Sequence, residues 1–357
     1  MLLTRDKFRN AVFERDGHKC VICGVSPDEA KGVRIDAHHI LERRLWSDGG
    51  YYLDNGATLC DHGNSNGFPM GCHSDAEVTT LSVEDIRIAA GITKIKIPED
   101  MYPDHVYDKW GNTILSNGKR SIGPLFYDES VQKILRYHPD FDGMFVDYVK
   151  FPRTYHCPWS QTKTKDDRVL TDMKMFEGRD VVVTEKMDGE NFSGYRAYCH
   201  ARSIDGLHHE SRDWAKNFWL QRSYELPEGW RVTAENLYAV HSIRYDNLKS
   251  YLYGFGVWNE RNICLSWDDA IEWFELLGME SVPVLYRGAY DEEKIKRLWN
   301  ESMRDTCEGY VIRLADEFHY RDYKTSVAKY VRKDHVHQHA KHWKHSKIEV
   351  NGIETND

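Results

Sequence analysis

Helical spacing comes first along the chain. From Arg5 to Arg15 the apolar residues Phe8, Ala11 and Val12 fall on one helical face, and Asp16-Gly17 ends the helix. Ile95-Lys96-Ile97-Pro98 and Val106 to Asn112 read as short strands with turns, Asp128 to Leu135 as a short helix. Frequent Gly and Asn between Trp110 and Gly123 predict loops. The pattern then changes. Val181-Val182-Val183-Thr184 is an unbroken, largely β-branched run that leads into Glu185-Lys186, and Asp188-Gly189 follows two residues later. This predicts a strand, a tight turn and a returning strand, with one amine, Lys186, at the mouth of the hairpin. Tyr253 to Trp258 reads as a buried strand. Gly309 to Ile312 and Ala328 to Lys333 read as further strands. Ser211 to Trp219 predicts a capped helix that buries Trp214 and Phe218. Ser266-Trp267-Asp268-Asp269 is a capping box, and the helix it opens buries Ile271, Phe274 and Leu277 and stops at Gly278. Asp291 to Trp299 predicts one more helix.

A chain of 357 residues suggests two domains, or three small ones, and 41% hydrophobic content with 11 Trp and 21 Tyr is enough for real cores. The formal charge of −9 argues against a generally basic coat, so any nucleic-acid site is expected as a local basic surface. No run is long and apolar enough to span a bilayer, and Met1 to Asp6 lacks the apolar core of a signal peptide. A cytoplasmic location is expected, with no membrane partner.

Four of the eight Cys lie in the first 75 residues. Cys20-Val21-Ile22-Cys23 is a zinc knuckle, and Cys60 and Cys72 can close a tetrahedral structural Zn²⁺ site. In so small a module the metal would contribute much of the folding energy. Cys60 and Cys72 stand far apart, so His62 is an alternative ligand for one thiolate. Free buried cysteines are the ordinary alternative. Between and after the knuckles lie Asp36-Ala37-His38-His39-Ile40, then Asn55, then His73 directly after Cys72. Residues 5–80 resemble the HNH (ββα-metal) nuclease family. The resemblance implies that His39 is a general base, that His38 and His73 hold a catalytic divalent metal, and that Asn55 orients His39. A zinc-stapled module that binds nucleic acid without cutting it is the alternative.

Lys186-Met187-Asp188-Gly189 is the KxDG signature of the covalent nucleotidyltransferases, which include RNA ligases, DNA ligases and mRNA capping enzymes. Four positions are a weak signal. The rest of the family's elements follow in order: Ala201-Arg202-Ser203, Ala234-Glu235-Asn236-Leu237-Tyr238, Tyr253 to Trp258, Glu308-Gly309-Tyr310-Val311-Ile312-Arg313 and Ala328 to Lys333. With Asn191 five residues past Lys186 and Glu185 before it, the set resembles the nick-sealing phage and bacterial RNA ligases. Only 334–357 follow the last lysine motif, which reads as a minimal core with no OB-fold behind it.

This resemblance implies that Lys186 attacks the α-phosphorus of ATP. Its pKa must then be lowered, and Lys329, Arg332 and Lys333, or a bound metal, are expected to do so. With Arg202, those cations would also offset charge on the α-phosphate. Glu235 would hold the ribose, Phe255 would stack on adenine, and Glu308 would bind Mg²⁺ or Mn²⁺. Asp188, Gly189 and Asn191 would orient phosphates, metal or acceptor. Taken singly, Phe255 has a plain core reading, Glu308 a strand-edge reading and Lys329 a solvated-face reading.

The expected fold class is α+β. A small zinc-stapled ββα-metal domain (1–90) and a connecting segment (91–150) precede a nucleotidyltransferase domain (151–333), ATP-grasp-like, of antiparallel sheets flanked by helices. A basic tail (334–357) follows. The expected activity is ATP-dependent joining of 5′-phosphate and 3′-hydroxyl ends. RNA is the first-choice partner, as nicked duplex or single-stranded ends; nicked DNA or a hybrid is the alternative. His335, His337, His339, Lys341, His342, Trp343, Lys344, His345 and Lys347 crowd the tail and would grip phosphate, or form a solvated end, or bind metal.

Overall fold

The computed structural model describes residues 1–63, 69–161, 167–204, 206, 208–333 and 348–354. The crowded His and Lys positions of the tail lie outside them. The chain is α+β, and its contacts divide it into two units, Met1–Val149 and Lys150–Asp357.

In the first unit the helix Arg5–Arg15 forms where its spacing predicts and buries Phe8, Val12 and Phe13. It packs on Gly56, where an added Cβ would stand 2.5 Å from Val12 Cγ2. A three-stranded antiparallel sheet follows, Val33–His39, Gly56–Gly63 and Pro69–Met70, with Ile35 opposite Cys60 and His39 opposite Gly56. The helix Cys72–Glu77 leaves its last strand. Ile40, Leu59, Ile86 and two of the cysteines, Cys20 and Cys60, make the core.

Residues 91–149, read above as a connection, fall within this unit. They build a four-stranded sheet of two-residue strands and a small core of Trp110, Val131, Leu135 and Met144. Asp128 caps the helix Glu129–Leu135 through the amides of Ser130 and Val131. Two expectations fail here. Ile95 to Pro98 forms no strand, and the stretch from Trp110 to Gly123 contains two, Thr113–Ile114 and Arg120–Ser121. The Gly- and Asn-rich turns carry these strands rather than replacing them: Asp108 takes hydrogen bonds from the amides of Trp110 and Asn112 at 2.9 and 3.0 Å and closes the turn before Thr113.

The second unit holds two sheets. One has five strands in the order Val284–Ala289, Asp180–Lys186, Gly309–Leu314, Val327–Val331, Tyr155–His156. The other runs from Cys199–His200 through Glu190–Tyr195, Arg231–Asn236 and Leu252–Trp258 to Ile263–Cys264 and Phe318–His319. Most pairs are antiparallel; Tyr155–His156 joins Val327–Val331 in parallel, as does Glu280–Ser281 with Leu252–Trp258. Val181 and Val183 enter a core with Trp258, Tyr310 and Phe318, while Val182 enters another with Met187, Leu237 and Trp267. Both faces of the strand are therefore buried, which is why its apolar run does not alternate. The helices Asp213–Leu220 and Trp267–Leu276 cover the second sheet through Trp219, Ala270 and Phe274.

The expected hairpin at Asp188-Gly189 is not one. Asp180–Lys186 and Glu190–Tyr195 belong to different sheets, and the chain crosses between them at Met187 to Gly189. Gly189 has no left-handed backbone. It is small because an added Cβ would lie 2.5 Å from the carbonyl oxygen of Asn236. Helix details also shift. Trp219, not Trp214 or Phe218, is the fully buried ring of its helix, while Trp214 and Phe218 stack on each other at 5.1 Å, half-buried. The helix after Asp291 is short, Glu292–Lys296. Ser266 does accept from the Asp269 amide, and Gly278, at φ +58°, ends that helix. Among the described residues no helix is long and apolar enough to cross a membrane.

Candidate active site

Lys186 is the last residue of its strand and stands opposite Gly309. That register delivers Glu308 to it, and the Lys186 ammonium is ion-paired with Glu308 Oε2. Gly309 makes the approach feasible, because a Cβ there would meet the Tyr330 carbonyl oxygen at 2.0 Å. Burial works to lower the pKa of Lys186, but Glu308, Glu235 and Asp188 together outweigh it and hold the pKa above the ordinary lysine value. The expected lowering by neighbouring cations is thus reversed: the carboxylates act on the amine more strongly than the cations do. The cationic effect falls on Lys329 instead. Burial first, then the charge of Lys186, depresses its pKa to about 8. Lys329 lies on Val327–Val331, opposite Val311 on one side and His156 on the other.

Glu235 stands opposite Asn191 across two strands, and its Oε1 accepts from the Gly189 amide at 3.1 Å. Burial, with the charges of Glu308 and Asp188, raises its pKa to about 8 against the pull of Lys186. Asp188 is buried, and its Oδ2 accepts from the amides of Ser242 and Ile243 at 2.7 and 2.9 Å. That oxygen braces a loop rather than facing a ligand. Asn191 Oδ1 is buried and finds no hydrogen-bond partner among the described residues. Phe255 is the one half-exposed residue on a strand otherwise buried; it packs beside Val182 and Met187 and edge-on to Phe151 at 5.5 Å.

Arg332 is buried, and its amide donates to the Glu308 carbonyl at 3.1 Å. Arg202 and Lys333 are exposed, and Arg202 lies close enough to Lys329 to disfavour its charge. Burial raises the pKa of Glu185, whose amide is bonded to Pro283. The structure therefore gathers Lys186, Asp188, Glu235, Glu308 and Lys329 into one electrostatically coupled group, with Arg332 and Arg202 beside it.

His156 pairs in register with Lys329 on the neighbouring strand. Its Nδ1 is 2.8 Å from Ser160 Oγ and its Nε2 3.2 Å from Asp167, directly behind Lys329. Burial and the charge of Lys329 keep it neutral, with a pKa of about 4. A single His on a two-residue strand gives no pattern in the sequence; only the parallel pairing with Lys329 reveals it.

In the first unit Cys20, Cys23, Cys60 and Cys72 bring their sulfurs within 4.8 Å of one another. The four-thiol grouping stands without His62. His38, His73 and Glu77 form a second such group. Glu77 was missed, although His73 and Glu77 are spaced i, i+4 on one helix and so share a face. Lys109, also missed, donates to Glu77 at 3.1 Å and to the His39 carbonyl at 3.0 Å, with its Nζ 3.5 Å from His38 Nε2. His39 stacks on Phe8 at 4.5 Å, and burial, then Lys109, lowers its pKa to about 4. Asn55 does not orient His39. Its amide is spent on the backbone, with Oδ1 accepting from Leu41 and Nδ2 donating to Leu41 and Gly50. It thus fixes the chain just after His39 rather than the ring.

Residues 179–331 match the RNA ligase family model. No curated protein matches the chain. Solved structures give distant likenesses. A chain from Aquifex aeolicus provisionally described as an ATP-dependent DNA ligase is 20% identical, with 53% of this chain and 52% of that one covered and a TM-score of 0.37. An archaeal ATP-dependent RNA ligase is 14% identical over 52% and 48%, at 0.38. A Naegleria gruberi RNA ligase mutant with ATP and Mn is 13% identical over 78% and 76%, at 0.37. The chain spans about half the length of the first two, and at these TM-scores none of the three fixes its fold or activity. The firm result is the family match, and it covers the strands that carry Lys186, Asn191, Glu235, Phe255 and Lys329, and Glu308 just before another.

Proposed function

We propose that the second unit is an ATP-dependent polynucleotide ligase, with RNA the favoured substrate, working through an adenylate on Lys186. The observation that carries this is the coupled group around Lys186, assembled from three strands and two strand-flanking residues, Asp188 and Glu308, inside the RNA ligase match. Lys186 Nζ attacks the α-phosphorus of ATP, an N–P bond forms, and the bond to pyrophosphate breaks. AMP then passes to a 5′-phosphate, and a 3′-hydroxyl displaces it.

At rest the amine is an ammonium held by Glu308 and cannot attack. In this reading Glu308 would hold a divalent cation, directly or through water, with Glu235 and Asp188 electrostatically coupled to it. Mg²⁺ or Mn²⁺ there would neutralise phosphate charge. Once Glu308 no longer holds the ammonium, only Glu235 and Asp188 still oppose burial, so the Lys186 pKa falls and the amine gives up its proton to solvent. In this reading Lys329 and its neighbour Arg202, with Arg332 beside Glu308, would offset the charge that builds on the α-phosphate. Phe255 offers a half-open ring for the adenine, and Glu235 an acceptor for the ribose hydroxyls. Sealing assays with ATP, Mg²⁺ or Mn²⁺ and nicked duplexes bearing RNA or DNA on either side of the nick test the proposal. At least one RNA-containing nick should be joined by wild type and none by Lys186→Ala; no joining on any substrate would contradict it.

For the first unit, four sulfurs within 4.8 Å support a structural Zn²⁺ site. The second group, His38, His73 and Glu77, supports a metal-dependent nuclease resembling HNH enzymes, with neutral His39 as base. Metal-dependent nicking that His39→Ala and His73→Ala both abolish would support that reading, and intact DNA and RNA across several metals would end it.

A further inference from the structure

Residues 348–354 lie outside the matched region, yet they hold part of the site in place. They run along the loop of residues 237–251. Val350 bridges Ala239, and Ile353 bridges Leu248. Asn351 is the centre of this strap, only 3% exposed. Its Oδ1 accepts from the Tyr245 amide at 2.9 Å, and its Nδ2 donates to the Leu237 carbonyl at 2.7 Å. Its own amide donates to Tyr238, and its carbonyl accepts from the Tyr251 hydroxyl. The Gly352 amide then donates to the Tyr245 carbonyl at 2.7 Å, so both backbone groups of Tyr245 are held by two adjacent residues. Gly352 is there because a Cβ would meet the Asp246 carbonyl oxygen at 2.4 Å.

The loop so held grips Asp188 from two sides. The Tyr245 hydroxyl accepts from the Asp188 amide at 3.0 Å, and the amides of Ser242 and Ile243 donate to the Asp188 carboxylate. Asp188 is two residues from Lys186. We propose that Asn351 is a positioning residue for nucleotidyl transfer, acting through Tyr245 and its loop to fix Asp188 and the end of the Lys186 strand. The inference rests on the ligase reading of the site. A buried residue whose side chain and backbone together satisfy four partners in one loop locks that loop, and small displacements of reacting groups are costly in rate.

The test is single-turnover adenylylation of the full chain with α-labelled ATP at saturation, in Mg²⁺ or Mn²⁺. Rate constant and final amplitude are both read. Asn351→Ala should lower the rate constant about tenfold to a hundredfold at full amplitude, with the apparent KM for ATP changed less than about threefold. Asn351→Asp keeps the acceptor for Tyr245 and loses the donor to Leu237, so its rate should lie between. A reduced amplitude at the wild-type rate means that Asn351 only supports folding, and overturns the inference. Tyr245→Phe removes the hydroxyl that holds the Asp188 amide. Combined with Asn351→Ala it should add less than about twofold to the worse single variant, because both act on one path; full additivity overturns the route through Tyr245. If wild type takes no label, the ligase reading itself falls. If wild type labels and Asn351→Ala and Asn351→Asp label at its rate, the positioning role alone falls.

Discussion

At the scale of single residues, the Lys186–Glu308 pair sets the chemistry. Carboxylates hold the resting amine above the usual lysine pKa, so removing Glu308 must lower it. In Glu308→Gln, modification of Lys186 by a small amine-selective reagent should therefore reach its midpoint at lower pH than in wild type. Mass spectrometry of the Lys186 peptide reads this directly, and an unmoved or raised midpoint contradicts the pairing. Glu235 gives the opposite sign for stability. Its carboxyl titrates near 8 when folded and near 4.5 when free, so between those values the folded chain keeps a proton that the unfolded chain has released. Stability falls as pH rises through that window. Wild-type Tm should drop more steeply between pH 5 and about 8 than that of Glu235→Gln, and parallel curves would rule this out. Lys186 itself was legible in the sequence, because KxDG and the ordered motifs surround it. The state of its proton was not, since that depends on Glu308 arriving from 122 positions away.

At the scale of elements, register does the positioning. Gly309 sits between Lys186 and Val331 on neighbouring strands. Gly309→Ala should push the strands apart, lower the second unit's Tm by several degrees through about 1–3 kcal/mol of overpacking, and suppress adenylylation of Lys186. A folded variant with wild-type labelling would contradict the argument. The strands and several helix caps could be read in advance: the Val181 to Val183 run, the Ser266 box and the Arg5–Arg15 helix all follow local rules. The connection after Lys186 could not. Asp-Gly after a strand has the chemistry of a hairpin turn, but the next strand's partners are Arg231–Asn236 and Cys199–His200. Pairing is decided by burial of whole faces, which no local signal carries. Glu77 and Lys109 escaped for a similar reason, since the fold brings them to His38 from 39 and 71 positions away.

At the scale of the molecule, the chain comprises two units, each with its own core. Four cysteines in the first unit and the coupled Lys186 group in the second therefore have separable roles. Chelation by phenanthroline, or Cys23→Ser, should lower the unfolding temperature of the first unit, while Lys186 keeps its adenylylation. Loss of labelling in both cases would show that the second unit depends on the first. The central claim is that Lys186 is the nucleophile, and intact-mass measurement after incubation with ATP and Mg²⁺ or Mn²⁺ tests it most directly. The wild-type chain should gain one AMP, mapped by peptide to Lys186 and released by pyrophosphate, and Lys186→Ala should gain none. A wild-type chain that gains nothing, or a Lys186→Ala chain that gains AMP equally, would contradict the account.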